Sequence, residues 1–174
     1  MRRRGVGLAL ALLTGAIALH SVAWSQSPNA SQPPPQPAAP SADLPKAYLP
    51  GLGEFMGRIQ VDHAKLWLAG AARNWELAGY ELGELKEVFS DVQDLVPRYQ
   101  NVPVGDMIDA LMTGTIAELE GAIAARDYRK FAAAFDQLTA ACNTCHQAAN
   151  RGYIAIRRPT QSTFSNQDFL PRKK

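Results

Sequence analysis

Residues 127–149 read DYRKFAAAFDQLTAACNTCHQAA. Tyr128, Phe131, Phe135, Leu138, Cys142, Cys145 and Ala149 recur at intervals of three and four, the stripe of a helix buried along one face. Asp127 stands where an N-cap belongs, and Gly152 is placed to terminate the helix. Cys142, Cys145 and His146 share one helical face and point the same way as Phe135 and Leu138. The reactive groups of this helix are therefore expected to face inward, into whatever the rest of the chain packs against it.

Three more periodic segments precede it. Leu52, Phe55, Met56, Ile59, His63, Leu66 and Trp67 form the first stripe, with Glu54, Arg58, Asp62 and Lys65 on or near the wet side. Gly70 and the residues to Asn74 read as its break. Trp75, Ala78, Leu82, Leu85, Phe89 and Val92 form the second stripe, with Glu76, Glu81, Glu84, Glu87 and Asp91 on other faces, and Pro97 ends it. After a loop to Pro103, Ile108, Met112, Thr115, Leu119 and Ala122 or Ile123 mark a third helix, which Gly114 and Gly121 weaken by about 1 kcal/mol each relative to alanine.

No alternating strand pattern and no internal repeat appears. Four helices joined by short loops predict an all-α, antiparallel four-helix bundle. The domain is expected over residues 46–152. Residues 153–174 continue no helix; Pro159 and the run 160–163 predict an extended C-terminal tail, with Phe164 and Phe169 as candidates to dock it.

The N-terminal part reads as targeting sequence. Arg2, Arg3 and Arg4, an apolar run over residues 6–19 and small residues at Ala23 and Ser25 predict a secretory signal peptide over residues 1–25. The run is short of the ~20 residues that a membrane span needs, so no stable span is expected after cleavage. Residues 26–45 are rich in Pro, Ala and Ser and read as a tether. Removing three arginines from 18 Lys and Arg leaves 15 against 16 Asp and Glu, a nearly neutral chain with no electrostatic support for a nucleic-acid partner.

Cys142-Asn143-Thr144-Cys145-His146 has the spacing of covalent haem c attachment. Two thiols three residues apart can add to the two vinyl groups on one haem edge, and the adjacent imidazole reaches the iron. The competing readings are a disulfide or redox-active thiol pair and a zinc site. A cysteine pair at i,i+3 within a helix is poorly placed for a structural staple. Zinc needs four ligands, and His63 is the only other histidine outside the signal peptide. One haem c per chain is therefore expected, at Cys142, Cys145 and His146. Export agrees, because haem c is joined to its apoprotein outside the cytoplasm.

The second axial position separates electron transfer from ligand binding. His63 is the preferred candidate, since a histidine on an apolar stripe needs a partner for its nitrogens. Met56 is the rival. It lies about as far from the start of helix one as His146 lies from the end of an antiparallel helix four. An open iron is the third alternative. Arg151, Arg157 and Arg158 follow the motif and could pair with haem propionates or an acidic redox partner, or simply solvate the helix end.

On that motif and helix order, residues 50–152 resemble the class II c-type cytochromes, the cytochrome c′ group. The resemblance implies His146 as proximal ligand and the face around Met56, Ile59 and His63 as distal; by analogy it also suggests a homodimer. Two features depart from the family. Ala149 and Asn150 stand where an aromatic and then a basic residue usually follow the histidine, and the tail has no counterpart. The segment 63–67 and Arg158-Pro159 look more like a less-studied proteobacterial branch of small haem proteins. The expectation is a periplasmic monohaem electron carrier that serves redox partner proteins and is not an enzyme. The alternative is a protein that binds or detoxifies a diatomic gas such as nitric oxide or carbon monoxide at an open distal site.

Overall fold

The computed structural model describes residues 48–172, and the expected signal peptide and tether lie outside the described residues. Four helices follow one another: α1 (Leu52–Ala71), α2 (Trp75–Leu95), α3 (Val104–Ala124) and α4 (Tyr128–Ala148). There is no strand among the described residues; Tyr99 and Val102 form one isolated antiparallel bridge in the α2–α3 loop. Each helix packs on the next, and α1 also meets α4, which closes the four into a bundle. The directions are antiparallel. Arg58 early in α1 pairs with Asp91 late in α2 at 3.5 Å, and His63 of α1 meets Thr139 of α4.

The helix ends show how local sequence sets the frame. Asp127 caps α4, its carboxylate accepting from the Arg129 and Lys130 amides at 3.0 and 3.1 Å. Asn74 caps α2 through the Leu77 amide. Three helices stop on a residue in the left-handed region: Arg73 (φ 57°) after α1, Arg126 (φ 54°) after α3 and Asn150 (φ 56°) after α4. Each is followed by a backward amide bond that satisfies a terminal carbonyl: Asn74 N to Ala69 O, Asp127 N to Ala122 O, and Arg151 N to His146 O. Gly152 does not terminate α4. The left-handed position falls two residues earlier, on Asn150, and no glycine has positive φ among the described residues.

The break expected from Gly70 to Asn74 is present, with α1 ending at Ala71 and α2 starting at Trp75, but Gly70 has a further role. It is buried in the last turn of α1, and a methyl group there would collide with the Phe131 ring of α4. The glycine lets the two helices approach. Phe131 and Phe135 are fully buried and stack with Trp67 at centroid distances of 6.2 and 5.0 Å, while Trp75 meets Phe131 edge-on. Each such ring contributes about 1.5–3 kcal/mol by burial. This aromatic cluster fills the end of the bundle near the α1–α2 turn.

Residues 149–172 contain no helix or strand and lie along α1 and α4. Phe169 is buried, Phe164 is partly buried against the core, and Asn74 Nδ2 donates to the Phe169 and Leu170 carbonyls. Arg158 lies over the Trp67 ring at 4.2 Å and donates to Ala132 O at 2.7 Å. Its Nε stands 2.6 Å from Asp136 Oδ1, an ion pair whose angle falls outside hydrogen-bond geometry. Glu81, placed off the apolar stripe from the sequence, is nonetheless buried at 1 % exposure, with Gln167 of this segment donating to it. Helical periodicity places Glu81 beside Leu82 and Leu85, and the covering segment completes its burial. No described helix is long and apolar enough to cross a membrane.

Candidate functional site

The end of the bundle opposite the aromatic cluster holds a cavity of about 370 Å³. All five residues singled out by the sequence line it: Met56 and His63 from α1, and Cys142, Cys145 and His146 from α4. Phe89, Val104, Ile108 and Met112 supply apolar wall from α2 and α3. The rim is exposed at Gly53, Gly57, Gln60 and Ile154, so one side faces solvent.

The thiols sit on one wall. Cys142 is buried, Cys145 half-buried, and they are not joined in a disulfide. Burial pushes the Cys142 thiol up to about 12 and the Cys145 thiol upward, so both are protonated at neutral pH. A reactive thiol pair would need the opposite shift. Among the described residues, no three His, Cys, Asp or Glu side chains are grouped to hold a metal ion by themselves.

The two histidines donate from opposite ring nitrogens. His146 Nδ1 lies 2.7 Å from the Ile154 carbonyl oxygen. A carbonyl only accepts, so Nδ1 carries the hydrogen and Nε2 is the nitrogen left to the cavity that the ring lines. At His63 the order is reversed. Thr139 Oγ1 donates to Phe135 O at 2.9 Å and so has only lone pairs to offer His63 Nε2, also at 2.9 Å. Nε2 therefore carries the hydrogen. The ring is buried at 3 % exposure and lies 4.4 Å from the Phe135 ring. Burial holds its pKa down to about 4, so it is neutral.

Height along the bundle separates the two distal candidates. His63 faces Thr139, which is seven residues, or about 10 Å, from His146 along α4. The same seven residues back along antiparallel α1 lead to Met56, at the level of His146.

Two glycines flank Met56 on the cavity rim. A methyl group on Gly53 or Gly57 would meet no protein atom within 4 Å. Glycine within a helix costs about 1 kcal/mol relative to alanine, and the chain's own packing gives no reason for either. Their places on either side of Met56 are a signal for this side of the cavity that the sequence reading missed. Thr139, Asn143 and the Ile154 carbonyl carried no such signal.

Of the three arginines after the motif, only Arg151 lines this cavity, with its guanidinium 5.9 Å from the Tyr99 ring. Arg157 lines a second cavity of about 400 Å³ between α1 and the C-terminal segment, and Arg158 is held by Asp136 and Trp67. Comparison with protein-family models, curated proteins and solved structures finds no match for this chain.

Proposed function

We propose that this chain is an exported c-type cytochrome that carries one haem c and transfers electrons, without catalytic turnover of a substrate. One observation carries the reading: two unpaired thiols and an imidazole held through Nδ1 by the Ile154 carbonyl line the same apolar cavity. The residues fit the group. Cys142 and Cys145 would hold it covalently, His146 would supply the proximal ligand, and the side chains of α2 and α3 would wall it from water. The bare surface at Gly53 and Gly57 leaves room that the protein itself does not fill.

For the second axial position the proposal is Met56. It is level with His146 across the bundle, whereas His63 stands beside Thr139, about two helical turns deeper. His63 then serves as a neutral, hydrogen-bonded residue at the inner end of the cavity, the ordinary role of a buried histidine. A thioether in place of a second imidazole favours the reduced state and raises the potential. When bound, haem iron supplies one-electron chemistry by cycling between Fe(III) and Fe(II). The chain's own residues hold the group, fix the tautomer of its ligand and exclude water. Arg151 at the rim offers a positive charge beside the exposed edge, for a propionate or an acidic redox partner. Periplasmic location rests on the signal-like residues 1–25.

The test is the absorption spectrum of the reduced, matured protein before and after carbon monoxide. Sharp, split visible bands unchanged by the gas are expected for two strong protein ligands. Broad high-spin bands that shift on its addition would replace electron transfer with diatomic-gas binding.

A further inference from the structure

Asn143 lies between the two cysteines, a position that the attachment chemistry leaves open. Its side-chain amide is nonetheless fully engaged. Nδ2 donates to Thr139 O at 3.0 Å and to Ile156 O at 2.9 Å, and Oδ1 accepts from Ile156 N at 2.8 Å. The bond to Thr139 fixes the amide on its own helix. The other two pair it with Ile156 as a second peptide group would, donating and accepting at once.

Two residues before Ile156 is the carbonyl that holds His146 Nδ1. Between α4 and that carbonyl, the chain is held by Arg151 N to His146 O and by Ile154 N to Arg151 O. Residues 152–155 are all exposed, with Tyr153 at 79 % and Ile154 at 46 %, so apolar burial does not place them. The turn fixes where Ile154 sits. Its carbonyl belongs to the Ile154–Ala155 peptide, and the next peptide, Ala155–Ile156, is pinned by Asn143 at Ile156 N, which limits the rotation left to that carbonyl.

We infer that Asn143 is a positioning residue for His146, acting through the C-terminal segment as a strap that presents the Ile154 carbonyl to Nδ1. The inference rests on the haem reading above. A carbonyl on Nδ1–H fixes the ring and raises the basicity of Nε2, which stabilises the oxidised state of a bound iron. Without Asn143 the strap loosens, the imidazole becomes a weaker donor and the potential rises. Aspartate cannot replace it, because a carboxylate would face the Ile156 and Thr139 carbonyls with no hydrogen to give.

The experiment compares wild type, Asn143→Ala and Thr144→Ala as matured proteins. Thr144 is the other residue between the cysteines and bonds only back to Ala140 O. Three quantities are measured: covalent haem content, reduction potential and hydrogen exchange of the Ile156 amide. For Asn143→Ala the expected result is wild-type haem content, Ile156 exchange faster by about ten- to a hundred-fold, and a more positive potential. Thr144→Ala should match wild type in all three. Should Asn143→Ala fail to mature, Ile156→Pro deletes the amide donor from the strap side and must raise the potential likewise. Wild-type exchange and potential in Asn143→Ala would overturn the inference. Absence of covalent haem from wild type would instead overturn the function, and the exchange of Ile156, which needs no haem, would still report on the pairing.

Discussion

His63 Nε2 donates to Thr139 Oγ1 at 2.9 Å, a direction fixed by that hydroxyl's own bond to the Phe135 carbonyl. His63 Nδ1 keeps its lone pair, but the ring stands about two helical turns below the level of His146. Met56→Ala should therefore open the iron, converting a low-spin spectrum to a high-spin one that responds to carbon monoxide. His63→Gln should leave the low-spin bands in place. The reverse pair of spectra would return the ligand role to His63.

Three glycines in the helices predict three different outcomes in thermal unfolding of the matured protein. Gly83→Ala has open space around it and should stabilise by about 0.5–1 kcal/mol. Gly70→Ala drives a methyl group into Phe131 and should cost about 1–3 kcal/mol. Gly57→Ala also has open space, yet it lines the cavity, so the account expects no gain with haem present. A gain at Gly57 equal to that at Gly83 would mean that nothing occupies the space beside it.

The buried imidazole makes stability depend on pH. His63 titrates at about 4 in the folded protein against 6.5 when unfolded. The unfolded chain takes up a proton below about pH 6.5 that the native state refuses. The contribution is complete above that pH and is lost as the pH falls toward 4. Its size is about 3 kcal/mol. Measured by urea unfolding, the stability of wild type relative to His63→Gln should fall by roughly that amount between pH 7 and pH 4. A difference that stays flat with pH would show that the ring is not held neutral.

Much of the frame was legible because it depends on local chemistry. Pro97 after α2 and Asp127 before α4 act within one turn of where they stand, and the apolar stripes report which faces turn inward. The errors were of another kind. Gly70 marks the end of α1 as expected, but its contact with Phe131 of α4 was not legible. Glu81 looks solvated until Gln167 covers it, 86 residues away in sequence. Asn150 rather than Gly152 ends α4, because either residue type tolerates the left-handed conformation and the pattern does not rank them.

The site followed the same division. Cys142, Cys145 and His146 are fixed by adjacency on one helix, so the sequence places them on one wall. The proposal of Met56 over His63 draws on the register between α1 and α4, which periodicity does not supply. The strap through Ile154 and Ile156 belongs to a segment with no periodic signal at all.

The central claim is the covalent bond between this chain and haem at Cys142 and Cys145. Its most direct test is expression of the full chain with haem c maturation machinery, followed by denaturing separation and measurement of haem absorbance on the polypeptide. The account predicts that wild type keeps its haem through denaturation and that Cys142→Ala with Cys145→Ala carries none. A wild-type chain that releases all its haem on denaturation, or a double variant that retains it, would contradict the claim.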